Sequence, residues 1–165
     1  MQKMNGTPCA EVNDLRTEVL AAWAAPRLLS QDDFPFLSPF DDVEWLIGVN
    51  LIEIEEARDE FFTEDPFSII SPYAALELLG LYFLALLEVF DSEKLVVPAE
   101  LGIPVFSVLD FLSTHLTTEI LRGLTMRRLR VTHAIIHRII SSPIKRIDRK
   151  SLQDVIARID NLLVS

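Results

Sequence analysis

Residues 71–90 read SPYAALELLGLYFLALLEVF, and this stretch decides the fold. Ser71 suits the position before a helix, because its hydroxyl can accept a free backbone N–H of the first turn. Pro72 suits the first helical position, where its missing N–H costs nothing. No charged residue lies between Leu78 and Leu87, and apolar side chains point in every direction around the helix. A helix without a polar face must be surrounded by protein or lipid.

A membrane span is the main alternative to a buried core helix. Such a span needs about 20 mostly apolar residues. Residues 69–90 have that length, but Glu77 and Glu88 lie near the two ends and leave a shorter uncharged run. We therefore predict no membrane span. The fold class that follows is all-α, a compact single-domain helical bundle of five or six helices around a buried central helix at about residues 72–90.

Length and composition indicate a single domain. The chain has 165 residues, and half of them are hydrophobic. We expect a flexible N-terminus over residues 1–12 and a single helical domain over residues 13–165. Five glycines argue against a Gly-rich phosphate loop, and the single Cys9 cannot form an intramolecular disulfide. Because no apolar signal segment opens the chain, we predict an intracellular, cytoplasmic protein.

Charge is distributed unevenly along this acidic chain. Residues 1–100 carry 20 acidic and 5 basic side chains, whereas residues 101–165 carry 5 acidic and 10 basic ones. The asymmetry fits either attraction between the two halves inside the fold or a basic surface for an anionic partner. The net charge of −10 opposes nonspecific binding of nucleic acid.

Helix-start signals and apolar periodicity predict further helices on both sides of the central one. They span Asn13–Ala25, Ser38–Phe62, Pro104–Arg122, Thr125–Ser141 and Leu152–Val164. Apolar residues between 43 and 54 also alternate as in a strand, so helix or strand stays open there.

Connecting segments carry three further expectations. The short link around Gly123 predicts an antiparallel hairpin of the two helices that flank it. Ser151 with Asp154 resembles a capping box at the start of the last helix. The apolar segment Phe34–Phe40 is interpreted as a strap across the core, with a short linear motif for a partner as the alternative. Whether this strap is docked or free stays open.

Histidine spacing gives one candidate for chemistry. His115 and Glu119 are four apart on one predicted helix, and His133 and His137 are four apart on the next. Imidazole and carboxylate groups at this spacing on facing helices form metal sites in bundles. The order HxxxE then HxxxH resembles part of the hemerythrin pattern, which implies further histidine ligands from other helices. The chain has three histidines in all, so we expect surface histidines and keep a mononuclear metal site as the alternative.

Basic residues of the C-terminal third give a second candidate. We predict a partner-binding face formed by Arg127, Arg130, His137, Arg138, Lys145, Arg146, Arg149 and Lys150, in a cluster that also includes Arg128. Basic clusters suit phosphate contacts, which supply most nonspecific nucleic-acid affinity. However, no Phe, Trp or Tyr follows Phe111 to stack on bases. An acidic protein partner fits this face as well as a nucleic acid does.

No GxSxG elbow, phosphate-binding loop or other catalytic signature occurs in the sequence. We therefore predict a non-enzymatic protein–protein interaction module, an adaptor, regulatory protein or complex subunit, with no catalytic residue and no cofactor. Two alternatives remain. One is a metal-binding bundle using His115, Glu119, His133 and His137, and the other is a nucleic-acid-binding protein using the basic C-terminal third. The last helix either pairs across a homodimer or covers the core.

Overall fold

The computed structural model describes residues 8–38, 41–50, 65–91, 97 and 101–165, with side chains of the first helix described from Asp14 onward. Within these ranges the chain forms six α-helices and no strand. The helices are α1 (Pro8–Ala22), α2 (Pro72–Asp91), α3 (Gly102–Thr114), α4 (Thr118–Leu121), α5 (Met126–Ser141) and α6 (Arg149–Val164). The predicted all-α class is confirmed.

The central helix α2 begins at Pro72 as predicted, and the Ser71 hydroxyl accepts the N–H of Ala74 (3.4 Å). Every residue from Leu78 to Leu87 is buried. By length and composition α2 is the one helix of the described chain that could cross a membrane, yet 78% of its apolar window is covered by the protein itself. It packs against α1 and α3, so its missing polar face is explained by enclosure within the domain.

Helix α1 crosses α2 closely at one glycine. The Trp23 indole donates to the carbonyl of Leu76 (3.0 Å). A Cβ placed on Gly80 would lie only 2.6 Å from the ring of Trp23, so a glycine allows this approach. α1 covers Pro8–Ala22 instead of 13–25, so Asn13 lies inside the helix and does not cap it. The backbone N–H of Trp23 still bonds to the carbonyl of Val19 (3.1 Å), and Pro26, which has no N–H to donate, follows three residues later.

The helix predicted from residue 38 to residue 62 is wrong for the part that the structure describes. Residues 41–50 contain only a 3₁₀ turn, Glu44–Leu46, followed by a single parallel bridge from Ile47 to Leu29. Gly48 has φ of +70° and donates its N–H to the Leu29 carbonyl (3.0 Å). This left-handed backbone conformation ends any helix. Residues 43–50, most of the segment left open between helix and strand, therefore form neither, and residues 39–40 and 51–64 lie outside the described chain.

The strap is docked through its first phenylalanine. Phe34 is buried, and the Asp33 carbonyl accepts the N–H of Ser71 (2.9 Å), directly before α2. Phe36, in contrast, is 66% exposed. The described part of the strap therefore packs onto the start of the central helix, while Phe40 lies outside the described residues.

The long helix predicted over residues 104–122 is two helices, α3 and α4. The break between them changes how the bundle is arranged. The Thr114 hydroxyl donates to the carbonyl of Asp110 (2.7 Å), a bond that competes with continuation of α3. Thr117 then caps α4 by accepting the N–H of Ile120 (3.3 Å). The chain is redirected at this break, so the predicted hairpin is wrong. α5 packs against α1 and α6 instead of along α3.

The two C-terminal helices pair with each other. Thr125 caps α5 by accepting the N–H of Arg128 (3.2 Å), which confirms the predicted helix. α6 begins at Arg149, and its cap is Asp148, which accepts from Ser151, so the capping box predicted at Ser151 and Asp154 is wrong. The apolar stripe of α6 (Leu152, Val155, Ile159) is buried against α5 and α3. This helix therefore covers the core, and its pairing across a homodimer stays a prediction.

Candidate protein-interaction site

Helix α5 is divided lengthwise into a buried and an exposed side. The buried side includes Leu129, Ile135, Ile136 and Ile139. Arg127, Arg130 and His137 are exposed on the other side, and Arg138 is half-buried at its edge. Positions three and four apart share a helix face, so these basic groups form one band along the outside of α5.

Helix α1 lies beside this band and forms a second wall. Two depressions of about 410 and 360 Å³ lie between the helices and share Leu15 of α1 and Ala134 of α5. We call them together the α1–α5 groove. The first is also lined by Asp14, His137, Arg138 and Ser141, and the second by Glu18, Arg127, Arg130 and Val131. One wall of the groove is therefore basic, and the other carries two carboxylates.

The basic groups of the groove are differently engaged. Arg127 lies 3.4 Å from a carboxylate oxygen of Glu18, but both side chains are more than half exposed. Such surface pairs contribute little stability and open readily. The guanidinium of Arg138 lies over the ring of Phe90, 5.6 Å from its centroid. Arg130 forms no ion pair or hydrogen bond with any residue that the structure describes. Among the arginines of the groove, Arg130 is thus the one that no described residue holds by a hydrogen bond or ion pair.

The structure does not bring the four candidate metal ligands together. The helix break separates His115 from Glu119, and the ring of His115 lies beside Phe111 with 5.4 Å between centroids. Glu119 accepts the hydroxyl of Tyr73 (3.0 Å). Across the described ranges, no group of three or more His, Cys, Asp or Glu side chains is placed to hold a metal ion.

The second histidine pair lies on α5, with one ring directed toward α6 and the other toward α1. His133 Nε2 is 2.8 Å from Oδ1 of Asp160, and its ring lies edge-on to His137 with 4.6 Å between centroids. His133 therefore connects the two C-terminal helices, whereas His137 faces the α1–α5 groove.

The basic connector between α5 and α6 separates into structural and exposed members. Arg149 donates to the carbonyls of Ile140 (3.2 Å), Ser142 (2.7 Å) and Ile144 (2.9 Å). These bonds satisfy backbone oxygens at and just after the C-terminal end of α5. Arg149 therefore has a structural role, and its part in the predicted partner-binding face stays a prediction. Lys145, Arg146 and Lys150 are exposed.

Sequence reasoning placed Arg128 in the basic cluster, but its side chain is 9% exposed. Its Nη1 lies 3.2 and 3.1 Å from the two carboxylate oxygens of Glu77 in α2. Its Nε donates to the carbonyl of Ala22 (3.0 Å), and its guanidinium lies 5.1 Å from the ring centroid of Trp23. The signal was present in the sequence, because Arg128 lies seven residues before Ile135 and eleven before Ile139, on the apolar arc of the helix.

No protein-family model, curated protein or solved structure matches this chain. The structure defines an all-α bundle built around a buried helix. Its surface carries the α1–α5 groove, which has one basic wall.

Proposed function

We propose that the chain is a non-enzymatic protein–protein interaction module, an adaptor, regulatory protein or complex subunit, that binds its partner through the exposed face of α5. One observation carries the proposal: exposed Arg130, without a partner among the described residues, lines a groove with Leu15 and Ala134 on its surface. Long basic side chains beside apolar surface suit a protein segment that offers carboxylates and apolar groups together.

The charges around the groove favour a protein over a nucleic acid. Asp14 and Glu18 on the α1 wall would repel phosphates drawn to the α5 wall. The net charge of −10 adds a general repulsion. A protein surface can match both walls, because it can present acidic and basic groups side by side.

Charge reversal at one exposed arginine tests the proposal. A protein that copurifies at native concentration is first identified, and its affinity for the purified chain is then measured. Arg130→Glu should weaken this binding about tenfold, because it places a repulsive charge in the contact. The matched control is Arg122→Glu, since Arg122 is also exposed and unpaired among the described residues but does not line the groove.

The comparison between the two variants decides the outcome. Both substitutions change the net charge equally, so a general electrostatic effect would move both affinities together. Equal affinities for the two variants would contradict the proposal, as would recovery of the chain alone under mild lysis.

A further inference from the structure

We infer that the α1–α5 groove binds one amphipathic helix of the partner protein, with an acidic edge along α5 and a basic edge along α1. This inference rests on the proposed function and names the partner segment that the same site would take. Three properties of the groove support it: its helical walls, its apolar surface and the opposite charges of its two sides.

The walls of the groove favour a helix as the incoming segment. Both walls are α-helices, whose interior backbone groups are already hydrogen-bonded within each helix. They offer no strand edge on which an extended peptide could complete its own backbone bonds. A helix satisfies its backbone internally. The α5 wall is lined from Arg127 to Ser141, about 20 Å at 1.5 Å per residue, which is the length of a helix of about 14 residues.

The groove surface fits an apolar seam. Leu15 and Ala134 lie where the two depressions meet, and Val131 is buried beside them. Ala134 is small, so the backbone of an incoming helix can approach closely at the centre of the groove. The depressions on either side would take larger apolar side chains at i and i+3 or i+4 of that helix.

The opposite charges of the walls set the edges of the partner helix. Asp14 and Glu18 project from α1, while Arg127, Arg130 and Arg138 line the α5 side. A helix that is acidic on both edges would meet repulsion along α1. A helix with glutamates on one edge and lysines on the other matches both walls, and opening the exposed Arg127–Glu18 pair to admit it costs little.

Two synthetic peptides of equal composition test the inference with the full chain. Each has about 14 residues and an apolar seam. The segregated peptide carries glutamates on one edge and lysines on the other, and the mixed peptide carries both residues on both edges. Reversing the direction of a helix in the groove exchanges its edges, so the segregated peptide matches both walls in one direction only, and we expect it to bind in that direction. Fluorescence anisotropy at low ionic strength should show binding of the segregated peptide at least about tenfold tighter.

Substitutions in the protein locate the peptide. Ala134→Trp should fill the meeting point of the two depressions and lower the affinity for the segregated peptide about tenfold. Ala134→Ser should leave that affinity unchanged. Thermal unfolding checks that each variant is folded. Arg130→Glu is a second probe that breaks no hydrogen bond or ion pair between described residues, and it should weaken binding of the same peptide.

The outcomes separate this inference from the proposed function. Equal affinities for the two peptides, or binding of neither, would overturn the inference. If Arg130→Glu weakens binding of the natural partner while neither peptide binds, the α5 face binds a partner segment other than an amphipathic helix. The proposed function then stands. If both Arg130→Glu and Arg122→Glu leave the affinity for the natural partner unchanged, the proposed function fails. The inference fails with it.

Discussion

At the scale of single residues, Arg128 connects three helices. Its guanidinium, carried on α5, pairs with Glu77 of α2 and donates to the carbonyl of Ala22 in α1. Glu77 also accepts the backbone N–H of Arg27 (2.9 Å). A buried charge without its counter-ion costs far more than an exposed one, so this pair holds the relative positions of the helices that form the α1–α5 groove.

Removal of Glu77 should therefore be costly. Glu77→Leu leaves the guanidinium of Arg128 buried and unpaired, and we expect a loss of about 3 kcal/mol in the free energy of unfolding, measured by urea denaturation. Glu18→Leu is the matched control. It breaks the exposed pair with Arg127, which should change stability by less than about 1 kcal/mol.

A double substitution separates lost pairing from lost packing. Glu77→Leu with Arg128→Met replaces the pair by apolar groups and should regain most of the lost stability. Equal costs for Glu77→Leu and Glu18→Leu would show that Arg128 is not buried as described.

At the scale of elements, the start of α6 provides a test that depends on pH. The N–H and the hydroxyl of Ser151 donate to Asp148 (3.0 and 2.7 Å), and these bonds hold the pKa of the Asp148 carboxyl below its ordinary value. A carboxyl with a lowered pKa in the folded state stabilises that state above its unfolded pKa of about 4. This contribution is lost as the pH falls through the lower, folded value.

Asp148→Ala should accordingly lower the midpoint of thermal unfolding at neutral pH, because it removes the cap of α6. The difference from the original chain should shrink as the pH is lowered below about 4. Asp154→Ala is the control, since Asp154 is exposed and is not the cap. A larger effect at Asp154 would instead favour the capping box suggested by the sequence.

The crossing of α1 and α2 gives a second test at this scale. In Gly80→Ala the new methyl group would overlap Trp23 (2.6 Å), at a cost of about 3 kcal/mol. The better helix propensity of alanine offsets about 1 kcal/mol, which leaves a net loss of roughly 2 kcal/mol in unfolding free energy. Gly102→Ala meets no atom within 4 Å and should be neutral or slightly stabilising. Stabilisation by Gly80→Ala would contradict the close crossing.

Elements with local sequence signals could be predicted, and elements that depend on tertiary contacts could not. α2 and α5 combine a local cap with a long apolar pattern, and both start where Ser71 and Thr125 indicate. The break after Thr114 depends on hydroxyl bonds that a periodic pattern does not reveal. The conformation of Gly48 depends on Leu29, a residue far away in the chain.

The candidate site was predictable only on one side. The angular positions of Arg127, Arg130 and His137 on α5 follow from helical spacing alone, and the structure places all three on its outer face. The second wall was not predictable, because contact between α1 and α5 joins segments more than 100 residues apart. Helical spacing places Arg128 on the buried side of α5, but the acceptors of Arg128 and Arg149 were not predictable, since tertiary packing sets them.

At the scale of the whole molecule, part of the charge asymmetry is used inside the fold. Arg127 and Arg128, from the basic C-terminal part, pair with Glu18 and Glu77 of the acidic part. These pairs join the two halves of the sequence around α2. Arg130 is not among them, so the same asymmetry also leaves a cation on the outer face of α5.

The central helix sets the arrangement of the rest. α1 and α3 pack directly on α2, and Phe67 bridges Tyr82 of α2 and Phe111 of α3 with ring centroids 4.6 and 4.9 Å apart. α6 covers the core from the far end of the chain and packs along α5. If α2 were exposed to lipid, these contacts could not form and the α1–α5 groove would lose its walls.

Hydrogen–deuterium exchange of the full chain in detergent-free buffer tests this burial most directly. We expect the amides from Ala75 to Val89 to be the slowest in the molecule, because only global unfolding exposes them. The last turn of α6, Leu162–Val164, should exchange far faster. Exchange across α2 as fast as in that last turn would contradict a helix enclosed by its own domain.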